Sequence, residues 1–482
     1  MSFAAPLFLW YFLPATLVAT WILPHKFRNG VIAVASVLFY AVGGKQFVVL
    51  LVALMALNYV AGLAIGRFKA AETPRTFLRW PAEKVLVVGC VVLNLLVLAV
   101  WKYAGFASSA MHSIAANLGL GDTRVISLAL PIGISFFTFH HLSYVVDVSR
   151  GVRPPMRNPL TFATYIAMFP QLIAGPIVRY HEIADQLREQ RHDKFGDFVE
   201  GFPRFGWGLF KKVVIADSLA PLADTAFSAG DPSTATAWIG ALAYTGQIYF
   251  DFSGYSDMAI GLATMLGLRL PENFNRPYSS TSITDFWRRW HMSLSRWFRD
   301  YLYVPLGGNR HGTFNTYRNL VIVFLTTGLW HGAAWTFVAW GAYHGALLII
   351  ERSTGLAKAE RLPALRRVIT FLLVVFGWVL FRAGSLDQAG HFFKAMLVPT
   401  NLTHIAPDLA LLLTDHRLAL LAVLMLTALL PGTWVTGKVI DGLVDVNDRI
   451  RALVRATAYA VTPYAGVVAV AGTFSPFLYF QF

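Results

Sequence analysis

The sequence contains few charged residues and almost no cysteine. Only 14% of its 482 residues are charged, and its single cysteine, Cys90, lies within an apolar stretch. Soluble domains carry about 25% charged residues, so this composition argues against a soluble protein. One cysteine excludes an intrachain disulfide and a metal site built from several thiolates.

Familiar catalytic and nucleotide-binding motifs are missing as well. The chain has no HExxH pair of histidines, no Walker loop, no GxSxG elbow and no dinucleotide-binding glycine fingerprint. It also has no internal repeat and no polar region long enough for a separate soluble domain. We therefore expect residues 1–482 to form a single domain with no metal ion and no bound cofactor.

Apolar residues dominate what remains. They make up 56% of the chain, and the mean hydropathy is +0.55. A membrane-spanning helix needs ~20 apolar residues, and we count about 11 such runs. The sequence thus predicts an all-α polytopic integral membrane protein held in a lipid bilayer. Prolines within Leu160–Val178 predict a kinked or re-entrant piece, and Lys102–Arg124 and Phe202–Ile215 are predicted to be interfacial.

The net charge of +14 arises mostly in loops between apolar runs and does not indicate a nucleic-acid partner. Among the first five runs, basic loops alternate with charge-poor loops. The basic loops contain Lys26, the stretch Arg67–Lys84 and the stretch Arg150–Arg157. Because cytoplasmic loops are enriched in Lys and Arg, we expect these three in the cytosol and the N-terminus outside.

The stretch Gly328–Trp335 places a histidine, His331, among small residues inside a long apolar run. Its glycines and alanines allow another backbone or a substrate to come close. Trp330 and Trp335 flank the histidine with aromatic surface. An ionisable side chain at membrane depth indicates a functional site, but a hydrogen-bonded packing histidine fits these residues equally well.

A second stretch, Ile283–Leu306, predicts an amphipathic helix dense in tryptophan and arginine. Trp287 and Trp290 lie on its apolar stripe, Arg288 lies elsewhere, and His291 falls on or beside the stripe. Such a helix suits a membrane surface, where its arginines meet lipid phosphates. It also suits a basic wall for an anionic ligand, with His291 turned inward.

Other polar residues interrupt apolar surroundings. Asp251 and Asp257 follow one apolar run, and pairing with arginine is the favoured interpretation of both. Asn273 and Arg276 lie in a turn-rich loop. His344 follows His331 by thirteen residues, or ~20 Å along a continuous helix, so we expect these two histidines to lie in different sites.

Several of these blocks together resemble the membrane-bound O-acyltransferases, and most closely their bacterial branch that acetylates alginate. The resemblance covers most of the chain. It is carried by the blocks Pro131–Phe136, Ala174–Ile177, Asp251–Asp257, Asn273–Tyr278, Phe286–His291 and Gly328–Ala333. The last two blocks are the most specific.

The resemblance implies a ring of helices around a central tunnel, with re-entrant and interfacial helices. It implies that His331 is catalytic and that His291 occupies a second polar position. A substrate or donor pocket is expected from the following residues: Trp287, Arg288, Trp290, Trp330, Trp335, Asn273, Arg276 and Asp251. Acetyl-CoA is the implied acyl donor. An exported polysaccharide, reached through a periplasmic SGNH-type partner, is the implied acceptor, and the bacterial inner membrane is the implied location.

Transfer of an acyl group from a thioester to an alcohol requires a base for the hydroxyl proton and a donor for the oxyanion. A neutral imidazole at His331 suits the first task. His291 suits either the second task or the orientation of His331, and the sequence leaves both roles open. Within the same family, peptidoglycan O-acetylation and D-alanylation are alternatives. A proton-coupled transporter is the more distant alternative.

Overall fold

Helices build almost all of this computed structural model. It describes residues 1–71, 76–77, 80–119, 125–189, 193–358, 361–399, 401–430, 448–472 and 477–478. The predicted all-α class is confirmed. Within those ranges the strands are one short antiparallel pair, β1 (Thr76–Phe77) and β2 (Trp80–Pro81), in which Thr76 faces Pro81 and Phe77 faces Trp80.

The chain divides into two compact units. The first comprises Met1–Phe202 and Ala259–Pro271. Its helices are α1 (Leu13–Ile22), α2 (Arg28–Gly44), α3 (Val48–Ala70), α4 (Ala82–Asn117), α5 (Ile134–Arg150), α6 (Pro159–Ala167), α7 (Phe169–Leu172) and α8 (Tyr180–Arg188). Helices α9 (Lys194–Phe210) and α11 (Thr234–Met265) contribute residues to both units.

The second unit comprises Pro203–Met258 and Glu272–Phe482. Its remaining helices are α10 (Asp217–Ser228), α12 (Ile283–Arg289), α13 (Met292–Phe298), α14 (Gly312–His331), α15 (Trp335–Thr354), α16 (Pro363–Arg382), α17 (Leu386–Leu397), α18 (Pro407–Leu412), α19 (Asp415–Leu429) and α20 (Asp448–Ala471).

Four helical stretches of the described chain are long and apolar enough to cross a membrane. They are His25–Ala70, Ala82–Asn117, Pro363–Arg382 and Ala452–Ala471. A shorter apolar helix, Phe8–Ile22, precedes them. The larger number of spans expected from the sequence, the central tunnel and the sidedness of the loops stay predictions, and Arg75 and Arg79 of the second basic loop lie outside the described residues.

Of two helix boundaries predicted from the sequence, one is wrong and one is confirmed. The segment Lys102–Arg124 does not begin a separate interfacial helix, because α4 continues without a break to Asn117, and residues 120–124 lie outside the described residues. Lys102 is the one charged residue between Val85 and Asn117, and the rest is rich in alanine, so nothing interrupts the helix. The predicted break in Leu160–Val178 is confirmed, since α6 ends at Ala167 and α7 begins at Phe169.

In the first unit, buried polar side chains form hydrogen bonds between neighbouring helices. Asn58 on α3 and Asn94 on α4 exchange amide hydrogen bonds of 3.2 and 2.9 Å, and both are fully buried. A Cβ at Gly62 would come within 2.2 Å of the Tyr144 ring, so glycine is required where α3 meets α5. Small residues commonly let membrane helices pack closely, and amide side chains commonly form hydrogen bonds between them.

Helices α14 and α15 of the second unit pack directly on one another. A Cβ at Gly328 would lie 2.3 Å from the carbonyl oxygen of Phe337, and one at Gly341 would lie 2.4 Å from that of Phe324. The backbones therefore touch, and only glycine fits at both positions. This hairpin also corrects an expectation: the helix breaks after His331, so His344 folds back instead of lying ~20 Å further along one helix.

We expect Gly328→Ala and Gly341→Ala each to destabilise the hairpin by about 1–3 kcal/mol, because an added methyl group has no space. Gly390→Ala on α17 is the matched control, since nothing lies within 4 Å of a Cβ there. It should be neutral or slightly stabilising, because alanine favours helix. Thermal unfolding of the detergent-purified variants measures the effect, and equal melting temperatures for all three would contradict the close contact.

Candidate active site

His331 is the last residue of α14, and local sequence fixes its position. Gly332 is extended and Ala334 caps α15, which begins at Trp335. A Cβ at Gly332 would lie 2.0 Å from the Phe337 ring, so a larger residue cannot make this break. The small residues after His331 therefore end the helix and let its successor pack against it.

Three aromatic rings from three helices surround the His331 imidazole. Centroid distances are 4.9 Å to Trp330, 5.1 Å to Trp340 and 5.1 Å to Phe381. His331 is 5% exposed. The imidazole is therefore shielded from water by aromatic surface.

His291 does not lie within a continuous amphipathic helix, so that prediction is wrong. It separates α12 from α13 and adopts the left-handed conformation, with φ 44° and ψ 53°. The apolar periodicity of the stretch is satisfied by two short helices on either side of the break. A non-glycine residue in this region of φ and ψ is uncommon and is typical of functional sites.

The His291 side chain is fully buried against Phe252, with ring centroids 4.6 Å apart. Its Nδ1 lies 3.1 Å from Oδ1 of Asn273. Burial lowers the pKa of His291 to about 3. The imidazole is accordingly neutral near pH 7.

Both histidines contact one indole ring. Trp330 lies 4.9 Å from His331 and 6.2 Å from His291, measured between ring centroids. These two distances limit the separation of the imidazole centroids to about 11 Å. The structure thus gathers His291, His331 and Trp330 in one place within the second unit.

A cavity of about 210 Å³ is lined by residues of α12, α13, α14 and α15, and its lining does not include His291, His331 or Trp330. Its lining includes Trp287, whose ring is 5.6 Å from that of Trp340, and Thr327, one helical turn before His331. Exposed arginines, Arg288 and Arg299, line it as well. The remaining lining residues are Thr284, Leu294, Ser295, Phe298, Tyr303, Leu320, Val323, Phe324 and Leu348. The cavity therefore combines an apolar wall with two arginines, of which Arg299 pairs with Asp300 at 2.7 Å.

The other residues predicted for a pocket are dispersed. Trp290 is buried against Trp378, with centroids 4.8 Å apart, and packs in the core. Trp335 is 60% exposed at the start of α15. Arg276 has a left-handed backbone and donates from Nε to Asn275 at 3.3 Å. None of these three lines the cavity beside Trp287.

Asp251 belongs to a buried charge network. It lies 2.8 Å from Lys212, which also pairs with Asp217 at 2.6 Å. Asp257 pairs with Lys211 at 2.7 Å and with Arg204 at 3.0 Å. The predicted pairing with arginine is seen for Asp257, which pairs with Arg204, whereas the partner of Asp251 is a lysine, Lys212.

The same network corrects the prediction for Phe202–Ile215. Lys211 and Lys212 are 3% and 2% exposed, so these lysines do not lie at a membrane surface. They begin a π-helical turn, Lys211–Ala216, that follows α9. A buried lysine requires an acidic partner, and the acidic residues of the network provide one for each. Sequence spacing did not reveal this arrangement because the partners come from α10 and α11.

Sequence analysis also missed the residues that enclose His331. Trp340 contacts His331 and His344 at the same centroid distance, 5.1 Å, so the two histidines flank one ring. Phe381, which also contacts His331, lies on α16. The signal that could have found Trp340 is the pair of glycines, Gly328 and Gly341, which indicates a close helical crossing.

Among the residues that the structure describes, no group of three or more His, Cys, Asp and Glu side chains is placed to hold a metal ion. The described site instead offers two buried imidazoles, aromatic walls and a cavity with cations. Fold and site together define a polytopic membrane protein with two buried histidines that contact one indole ring.

Comparison with known proteins identifies the family. A model of the membrane-bound O-acyltransferase family, MBOAT, matches residues 92–387. The chain belongs to this family and is a membrane O-acyltransferase, which favours an enzyme over the transporter considered above.

The names of curated relatives specify different acceptors. The chain is 49% identical to the probable alginate O-acetylase AlgI of Azotobacter vinelandii over 82% of this chain and 78% of that protein. It is 36% identical to the peptidoglycan O-acetyltransferase of Helicobacter pylori over 85% and 82%. It is 30% identical to the teichoic acid D-alanyltransferase of Bacillus subtilis over 52% and 68%. The relatives thus share acyl transfer and differ in the acceptor.

The network makes Asp251 a structural residue. We expect Asp251→Asn to lower the free energy of unfolding by about 3 kcal/mol, the lower end of the range for removing one partner of a buried ion pair, because Lys212 keeps Asp217. The folded fraction should transfer acyl groups at close to the wild-type rate. Thermal unfolding and activity per folded molecule measure the two effects.

Asp285→Asn is the control, because its partner Arg289 lies on the same helix and both side chains are 28% exposed. Its cost should be about 1 kcal/mol or less. A well-folded Asp251→Asn protein without acyl-transfer activity would instead place Asp251 in the reaction.

Proposed function

We propose that this protein transfers an acetyl group from cytosolic acetyl-CoA, across the inner membrane, toward hydroxyl groups of an exported alginate-like polysaccharide. The single observation that carries the proposal is the contact of both His291 and His331 with Trp330, one helical turn from Thr327 in the lining of the cavity. The similarity to alginate O-acetylases over 82% of the chain supports the acceptor.

The chemistry proposed for His331 is general base catalysis. The acceptor oxygen bonds to the carbonyl carbon while His331 takes the hydroxyl proton. The carbon–sulfur bond then breaks, and the departing thiolate receives a proton, which returns His331 to its neutral form. A positioned base contributes about 10²–10⁴-fold to such a step. The aromatic enclosure of His331 supports the proposal because it favours the neutral imidazole that the first step needs.

The cavity is the proposed donor site. A thioester of coenzyme A has an anionic nucleotide end and a slender, uncharged arm. Arg288 and Arg299 are exposed and suit the phosphates, whereas Trp287 and Phe324 suit the arm. Passage of the acetyl group to a periplasmic SGNH-type partner is part of the proposal and rests on the family resemblance. Peptidoglycan is the second acceptor, favoured by the relative in Helicobacter pylori.

Replacement of the two arginines tests the donor. In Arg288→Gln/Arg299→Gln we expect KM for acetyl-CoA to rise about tenfold, the equivalent of ~1.4 kcal/mol, with kcat little changed. KM for S-acetylpantetheine, which lacks the nucleotide phosphates, should not change. Release of free thiol by purified protein, with alginate or peptidoglycan oligosaccharide as acceptor, measures both.

Arg352→Gln, an exposed arginine at the end of α15 that is not part of the cavity lining, is the control. Turnover with an acyl-carrier-protein thioester, and none with acetyl-CoA, would contradict the proposed donor. Acetylation of peptidoglycan fragments alone would replace the acceptor and leave the donor standing.

The two histidines should act as a unit. We expect His331→Ala to lower kcat by at least ~10²-fold, His291→Ala to lower it severely, and the double variant to be little slower than His331→Ala. Effects of groups that serve one transition state are not additive. Acetyl transfer by folded, monodisperse protein measures all three.

His344→Ala controls for loss of a buried ring beside Trp340, because His344 contacts that indole as well, with ring centroids 5.1 Å apart. It should lower the melting temperature while the folded protein stays active. Near-normal transfer by folded His331→Ala protein would refute the proposed mechanism.

A further inference from the structure

The loop between α11 and α12 lies directly beside His291. The amide N–H of Met292 donates to the carbonyl oxygen of Asn273 at 2.9 Å, and that of Asn275 donates to the carbonyl oxygen of Arg289 at 2.9 Å. These backbone hydrogen bonds bracket His291. They hold Asn273, whose side chain is 1% exposed, in register with the break between α12 and α13.

The hydrogen bonds of Asn273 fix which way its amide points. Oδ1 lies 3.3 Å from the backbone N–H of Ser293 and 2.9 Å from the Ser293 hydroxyl. A backbone N–H can only donate, so the atom facing it must be the amide oxygen. On the other side, Nδ2 donates to Oγ of Ser256 at 3.0 Å. A flipped amide would set its NH₂ group against the Ser293 N–H.

This orientation decides the protonation of the neutral His291 ring. Oδ1 of Asn273 is also the atom 3.1 Å from Nδ1 of His291. An amide oxygen can only accept, so Nδ1 must carry the hydrogen. A neutral imidazole has one N–H, and its lone pair is then at Nε2.

We propose that Asn273 is a positioning residue that holds His291 as the Nδ1–H tautomer, so that the Nε2 lone pair serves the acyl transfer. The proposal rests on the proposed function for its role in the reaction. It also chooses between two tasks that the sequence leaves open. A neutral ring with its lone pair at Nε2 accepts a hydrogen bond there, so of the two tasks His291 has the orienting one and does not donate to the oxyanion.

Nitrogen NMR of the full-length protein in nanodiscs, with ¹⁵N-labelled histidine, tests the tautomer. The chain has 13 histidines, so the His291 signals are assigned by their loss in His291→Gln. We expect Nδ1 of wild type to give the shift of a protonated ring nitrogen and Nε2 that of a bare one. In Asn273→Ala both signals should move toward the average of two exchanging tautomers.

Activity of the same variants tests the positioning role. Asn273→Ala should lower kcat about 10–100-fold, the range found when the partner that orients a metal-bound histidine is lost, with KM little changed. Asn273→Asp retains an acceptor but adds a negative charge, which stabilises the imidazolium. Its activity should therefore fall away at a higher pH than that of wild type on the acidic side of the profile.

Two variants separate positioning from packing. Asn319→Ala removes another fully buried amide, which donates to the carbonyl oxygens of Leu306 and Gly308. It should lower the melting temperature as Asn273→Ala does and leave the His291 signals unchanged. Ser293→Ala removes one donor to Oδ1 but keeps the contact with His291, so its signals should match wild type.

A wild-type His291 with its hydrogen on Nε2 would overturn the proposal. So would an Asn273→Ala protein that keeps the wild-type signals or the wild-type kcat. The kcat comparison uses whichever acyl thioester the wild type turns over. Failure of acetyl-CoA as donor would thus count against the proposed function and not against the role of Asn273.

Discussion

The contact between the backbones of α14 and α15 is the constraint on which the candidate site depends. Glycines at 328 and 341 let the two helices touch, and the turn between them must then be short. Gly332 permits that turn, and His331 becomes the last helical residue before it. The reversal brings Trp340 against the imidazole that α14 presents. The position of the histidine thus follows from the absence of side chains around it.

The second unit has buried ion pairs in one region and two buried histidines in another. Arg204, Lys211 and Lys212 are paired with acidic residues close to α9 and α11. The described neighbours of the two histidines include the rings of Trp330 and Trp340 and the amide of Asn273. Because a nearby carboxylate would favour the imidazolium, a histidine that must begin neutral is best served by an amide partner. The Nδ1 contact of His291 with Asn273 fits that requirement.

Sequence patterns could predict what depends on composition and local sequence. The all-helical class followed from apolar runs, and the break after α6 followed from Pro170 and Pro176. His331 stood out because a polar residue among glycines and tryptophans is unusual at that depth. The pairing of Asp251 and Asp257 with cations followed from the cost of a buried charge. Identification of the family, however, came from combined motifs and not from any one of these signals.

What the sequence could not predict depends on tertiary contacts. A period of three and four residues continues smoothly through Trp290 and His291, so the left-handed conformation of His291 leaves no trace in the apolar pattern. His344 was separated from His331 by assuming a continuous helix, although the glycines that allow the reversal were visible. Lys211 and Lys212 look like surface residues because their partners lie on other helices.

The left-handed conformation at His291 shows how the site is held in place. Such a backbone costs about 1–3 kcal/mol for a non-glycine residue and persists only where the surroundings determine it fully. Here the determining contacts are the backbone bonds from Met292 and Asn275 and the side-chain bonds of Asn273. A continuous helix would satisfy the backbone equally well, but it would carry His291 away from the Asn273 loop. The break therefore lowers local helical stability but gives the imidazole one defined direction. The proposed acyl transfer at a single ring nitrogen requires such a fixed direction.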